Sequence, residues 1–197
     1  MTKSVRTPRA DSRLPLLLDE AARLFAVHGF DGTSVRDIVG AVDMLPGSLY
    51  YHFAAKEDVL AAVYEEGVRR ISERVASAVA PRHDPWARLE AACVAHLEAL
   101  HEESDYAQVV IRVRPADVPT LAAQLVTLRD RYERLFADLV QALPLRAGVD
   151  RRSLRLMLLG ALNWSQTWYR PGRDDARGIA RDFVALLRRP LDTQGSP

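Results

Sequence analysis

Cysteine is nearly absent from this 197-residue chain. Cys93 stands alone, so one copy can build neither a disulfide framework nor a structural zinc finger. An excess of one charge is absent too, with 27 Lys and Arg against 26 Asp and Glu. That balance, beside 48% hydrophobic residues, excludes a disordered or collagen-like chain. Long apolar runs are missing: the longest uncharged stretch, 156–169, contains Asn163, Ser165 and Gln166. It falls short of the roughly 20 residues a helix needs to cross a bilayer. Near the start, the apolar stretch 14–18 is broken by Pro15 and closed by Asp19 and Glu20, unlike a secretory signal. No Gly-x-Ser-x-Gly, phosphate-binding glycine loop or His-Glu-x-x-His occurs. His96 and His101 are five residues apart, which is not chelating spacing on a helix, and Cys93 sits in an apolar stripe without an activating base nearby. The expectation is a cytoplasmic protein that is not an enzyme, carries no metal or cofactor and does not enter a membrane.

Two-residue alternation is also lacking, and what is present is helical periodicity punctuated by proline and glycine. The pattern predicts an all-α fold. A first helix over about 13–27 places Leu17, Ala21, Leu24, Phe25 and His28 on one face and stops at Gly29. Thr33 or Ser34 caps a short second helix, with Asp37 three residues after Ser34 as a capping box requires. A third helix starts near Leu45 and Pro46 and ends near His52. Three helices of this kind, the last two short, make a helix-turn-helix head. A long helix from Lys56 toward Pro81 follows, with Leu60, Val63, Tyr64, Ile71, Val75 and Val79 as its buried stripe. The body then reads as helices over roughly 86–100, 106–113, 121–139, 150–169 and 174–187, leaving an N-terminal arm and a tail after Pro190. The division expected is 1–60 for the arm and the helix-turn-helix head, and 61–197 for a second, helical domain.

The segment Ala22-Arg-Leu-Phe-Ala-Val-His-Gly-Phe30 is followed by Thr33-Ser-Val-Arg-Asp-Ile-Val39, Leu49-Tyr-Tyr-His-Phe53 and Lys56-Glu-Asp-Val-Leu60. Over about 14–65 this resembles the TetR family of one-component transcriptional repressors. The resemblance implies a base-facing set of Arg36, Leu45, Pro46, Gly47 and Ser48. Among these only Arg36 has the fork for bidentate contact with guanine. It also implies phosphate contacts from Thr33, Tyr50, Tyr51, His52 and Lys56. For Thr33 a capping role is compatible with this, and Tyr50, Tyr51 and Phe53 are alternatively core aromatics. Asp43 stands where the family usually has a turn glycine, and an apolar Leu45 opens the recognition helix. Within 1–60, seven cations, with Lys3, Arg6, Arg9 and Arg13 in the arm, face eight anions, a net −1. DNA affinity must then rest on placement rather than bulk charge, and a shallow salt slope is expected.

One head reads a short sequence, so a homodimer on palindromic double-stranded DNA is expected. The resemblance puts the interface on the last two long helices, with Leu154, Leu158, Ala161, Leu162 and Ser165 on one and Ile179, Phe183 and Leu186 on the other. Trp86, His96, Leu100, Arg112, Leu128, Tyr132, Phe136, Asn163, Trp164 and Trp168 are the candidate lining of an effector cavity between head and interface. For the two tryptophans, core packing is the competing role. The stretch 160–172 is similar to acyl-CoA-responsive members of the family, which implies a small apolar or acyl-CoA-like effector that releases DNA. The contrasting reading is a helical small-molecule carrier without specific DNA binding.

Overall fold

Proline and small polar caps set where the helices begin. The computed structural model describes residues 13–102 and 104–192; Lys3, Arg6 and Arg9 of the expected arm, and the tail from 193, lie outside the described residues. Helix α1 (Leu14–His28) carries Pro15 in its first turn and ends at Gly29, whose φ of 76° is open to glycine at no steric cost. Helix α2 (Val35–Ala41) is capped by Ser34: its side chain accepts from the Asp37 N–H while the Asp37 carboxylate accepts from the Ser34 N–H. Asp43 then takes a left-handed φ of 51° and turns the chain into α3 (Pro46–His52). Helix α4 (Lys56–Val79) is the long rod. The body adds α5 (Pro85–His101), α6 (Asp105–Arg112), α7 (Ala122–Gln141), α8 (Arg151–Trp164) and α9 (Ala176–Leu191). Among the described residues there is no β-strand, only an isolated bridge between Leu145 and Asp192.

Two boundaries differ from expectation. Helix α8 stops at Trp164, not near Tyr169, because the Ser165 hydroxyl turns back to the Leu162 carbonyl and the chain tightens into a 3-10 turn over Ser165–Thr167. Helix α9 runs through Pro190 instead of ending at Leu187; the proline sits in the last turn, where the carbonyl it leaves without an N–H belongs to exposed Leu186.

Two apolar cores form. The first joins α1–α3 and the start of α4 to Tyr106 and Val109 of α6 and to Leu121, Leu125 and Leu128. The second gathers the end of α4, α5, the end of α7, α8 and α9. The expected division at residue 60 therefore cuts an unbroken helix, and the head shares its core with part of the body. Helices α4 and α6 meet at Gly67, where a Cβ would come 2.6 Å from Val110 Cγ2 and 2.9 Å from the Tyr106 carbonyl. Tyr132 packs against both cores, and between them lies an open space.

Candidate DNA-binding face and ligand chamber

The head holds α3 by one fully buried side chain, Leu49, and leaves most of the rest outward. Leu45 is 76% exposed and Tyr51 78%, with Tyr50, Pro46 and Gly47 also exposed and Ser48 half-buried. Arg36 stands exposed on the first turn of α2, beside this surface in the helix-turn-helix. The structure thus brings Arg36, Leu45, Pro46, Gly47, Ser48, Tyr50 and Tyr51 to the outside of one helix-turn-helix.

Three expected phosphate donors are placed differently. Thr33 is buried, its hydroxyl lying 2.9 Å from the Gly29 carbonyl and 3.3 Å from that of Leu24, so it closes the α1–α2 turn, and the cap is Ser34. The Lys56 ammonium donates to the carbonyls of Phe30 (2.7 Å) and Thr33 (2.8 Å) and lies 4.1 Å from the centre of the Phe30 ring. Its three N–H groups are mostly spent inside the head. The His52 ring meets Tyr51 edge-on and buries its Nε2 without a partner, so a phosphate donor there can only be Nδ1.

In the body, a chamber of about 560 Å³ separates the two cores. Its walls include Tyr64, Val68 and Ile71 of α4, His96 and Leu100 of α5, Val110 and Ile111 of α6, Arg129, Tyr132 and Glu133 of α7, and Leu159, Gly160, Asn163 and Trp164 of α8, with Arg114, Gln166 and Thr167 from the connecting turns. His96, Leu100, Tyr132, Asn163 and Trp164 come together there. The other candidates do not: Trp86 and Phe136 are shut inside the second core and Leu128 inside the first. Arg112 reaches away to the Ala26 carbonyl of α1 at 2.7 Å. Trp168 lies over a separate shallow depression with Arg170, Arg173 and Asp174. Sequence reading missed the α4 wall and chose Arg112 on α6 where Val110 and Ile111 line the space, because Ile71 and its neighbours look like an ordinary buried stripe until no partner fills the space before them.

One polar cluster crosses the wall. His96 is 4% exposed, its Nδ1 lies 2.6 Å from the Tyr132 hydroxyl and its Nε2 lies 3.0 Å from Asn163 Oδ1. With Nε2–H donating to the amide oxygen, Nδ1 accepts from the Tyr132 O–H. Burial pushes the His96 pKa down to about 4, so the ring is neutral near pH 7. The cations on the wall are already matched: Arg129 to Glu133 and Asp130, each at 3.7 Å, and Arg114 to Asp117 at 2.9 Å.

Helices α8 and α9 also carry an uncovered face. Leu162 and Ser165 are 0% exposed within the protomer's own core, with Leu154 and Leu158 almost as deep, so these four cannot meet a second chain. They face inward because α8 must close the second core before it can offer anything outside. Ala161 and Leu186 are exposed, and Ile179 and Phe183 half-buried. The exposed apolar set also holds Leu156, Met157 (56%) and Trp164 (67%). Trp164 belongs to both the chamber wall and this face.

A helix-turn-helix head joined by a long helix to a chambered helical body is the architecture of one-component transcriptional regulators. Comparison with known proteins makes this particular. The family model "Tetracyclin repressor-like, C-terminal domain" matches residues 82–191, and "Bacterial regulatory proteins, tetR family" matches 17–63. The transcriptional repressor KstR2 of Rhodococcus jostii (strain RHA1) is 30% identical over 192 residues, 92% of this chain and 90% of the relative. Among solved structures, superantigen PfiT has a TM-score of 0.80 at 27% identity, covering 95% of this chain and all of that one. AibR in complex with isovaleryl coenzyme A and operator DNA has a TM-score of 0.73 at 25% identity, covering 88% of this chain and 97% of that one. The chain belongs to the TetR family of transcriptional regulators, and its head is a helix-turn-helix DNA-binding unit.

Proposed function

We propose that the protein is a repressor that binds a palindromic operator as a homodimer and releases it when a small apolar or acyl-CoA-like effector fills the chamber. The observation that carries the coupling is the position of α6. Val110 and Ile111 form part of the chamber wall, while Arg112 holds the Ala26 carbonyl and the Tyr106 hydroxyl donates to Asp19 at 2.9 Å. A guest that displaces α6 therefore pulls on α1 at two points, and through the shared first core on the recognition helix. Linkage requires the guest to bind the off-DNA state more tightly, with a coupling of roughly 1–3 kcal/mol typical of such switches. The exposed apolar side chains Leu156, Met157 and Trp164 of α8 and Leu186 of α9 support pairing through these helices. The names of the KstR2 and AibR relatives support repression and an acyl-CoA effector respectively.

Selection of random duplexes at moderate salt tests this reading. Enrichment of a two-fold-symmetric sequence is expected, with octanoyl-CoA lowering the retained fraction. Arg36→Ala should cost about 1–3 kcal/mol on the selected duplex and relax one base position, with an unchanged unfolding midpoint. No enrichment by the dimeric protein would overturn the repressor reading.

A further inference from the structure

The first turn of α3 is built against its own stability. Leu45 holds the N-cap position, where a serine, threonine, asparagine or aspartate would satisfy a free N–H, and its side chain caps nothing. It is also the most exposed leucine among the described residues. Gly47 adds a further cost, because glycine weakens a helix interior. Nothing inside the head asks for it: its φ is not left-handed, and a Cβ there would meet no atom within 4 Å. The bare position leaves clearance on the outer side. Donors are scarce as well, since Pro46 has no N–H and the Ser48 N–H is taken by the Leu45 carbonyl at 2.9 Å. The tip is nonetheless held in place. Asp43 makes its left-handed turn, the Met44 N–H donates to the Val39 carbonyl at 2.9 Å, and Leu49 is anchored in the core four residues on. We infer that Leu45 reads the 5-methyl group of a thymine in the major groove. The inference rests on α3 being the helix that enters the groove.

A recognition helix presents its N-terminal residues to base edges. In the major groove those edges carry acceptors on guanine and adenine, donors on cytosine and adenine, and one apolar group, the thymine methyl. An alkyl side chain laid over a donor or acceptor takes its water away and returns no bond. Laid over the methyl, it removes apolar surface from water on both partners. Leu45 therefore selects twice, by favouring one base and by penalising the other three. Arg36 on α2 has the opposite chemistry, a guanidinium that seeks the guanine acceptors, so the two contacts are separable by substitution. Leu45 is thus a specificity-determining residue that acts without a hydrogen bond, and two local rules are broken at one residue for that purpose.

Uracil is thymine without the methyl and pairs in the same way, so it isolates the contact. The full-length protein is titrated, by fluorescence anisotropy at fixed salt, with the duplex enriched from the random pool and with versions carrying deoxyuridine at each thymine in turn. At one position the wild type should lose about fourfold in affinity for each copy of the site, the value of one methyl group removed from water. Cytosine placed there should bind weakly, and 5-methylcytosine should recover about fourfold over it. Leu45→Ser shortens the side chain and supplies an N-cap, so it should fold at least as well as the wild type and bind the thymine and uracil duplexes within about twofold of each other. Arg36→Ala should keep the full thymine-to-uracil ratio at that position. An enriched duplex in which no thymine is sensitive to uracil, or a uracil effect that Leu45→Ser leaves unchanged, overturns the inference and leaves the repressor reading intact. Enrichment of no duplex overturns both.

Discussion

The head half-buries one basic side chain, Lys56, and the chamber wall buries another, His96, and they do so in opposite ways. In the head, the Lys56 ammonium is clamped by two backbone carbonyls and the face of Phe30, so a charge is held inside by groups that cannot move without unfolding the α1–α2 turn. In the chamber, His96 is kept neutral by burial and is satisfied by a hydroxyl and an amide oxygen. The difference matches the tasks. A surface that must meet DNA in one register benefits from a fixed turn, and a charged clamp supplies it. A space that must empty and refill benefits from a neutral group at its deepest wall, because no guest then strands an unpaired buried ion there.

Acidification gives the largest separation of the two. The folded state holds His96 at about 4 against 6.5 when unfolded. Between those values the unfolded chain binds the extra proton. The contribution is therefore complete above pH 6.5 and is lost as pH falls toward 4, to an extent of about 3 kcal/mol. Urea unfolding followed from pH 7 to 4 should show this loss, and His96→Gln should flatten most of the slope. Some slope remains, because burial lowers His101 in the same direction. A wild-type slope that His96→Gln does not alter would mean the chamber histidine titrates as it does in water.

Lys56→Met comes next. Bonds to a charged donor are worth about 1.5–3 kcal/mol each, and partial exposure of this one lowers the sum, so a loss of about 2 kcal/mol in unfolding free energy is expected. The alternative outcome is informative: unchanged stability with uniformly weaker binding to every duplex would return Lys56 to the phosphate-contacting role that the motif implies.

Much of the head can be read from the sequence, because its devices are local. The Ser34–Asp37 box, the glycine stop at Gly29 and the left-handed Asp43 each involve residues within four positions of one another. What stays hidden is where a side chain ends up across the fold. Thr33 and Lys56 occupy motif positions, but only the approach of Phe30, Leu24 and Gly29 shows that their polar atoms are spent. Helix α8 is the sharper case. Its two apolar stripes, Leu154-Leu158-Leu162 and Leu156-Met157-Ala161-Trp164, are both periodic, and periodicity does not say which one faces the protomer's own core. The chamber is harder still, since its wall comes from five helices and is defined by what fails to fill it.

The smallest expected change sits between the two regions. Tyr106→Phe removes one hydroxyl whose bond to Asp19 links α6 to α1, while Arg70, stacked 4.0 Å from the ring centre and 3.7 Å from Asp19, stays to satisfy the carboxylate. The stability loss should be no more than about 1 kcal/mol. Duplex affinity without effector should be unchanged, since Tyr106 lies away from the recognition helix. The effector is another matter. If displacement of α6 is felt through Asp19 and Ala26, loosening one of two attachments lets α6 move without carrying α1 along. More octanoyl-CoA should then be needed for half-release, with its affinity for the DNA-free protein unaltered. An unchanged release midpoint would mean that α4, which also lines the chamber through Val68 and Ile71, transmits the signal without α6.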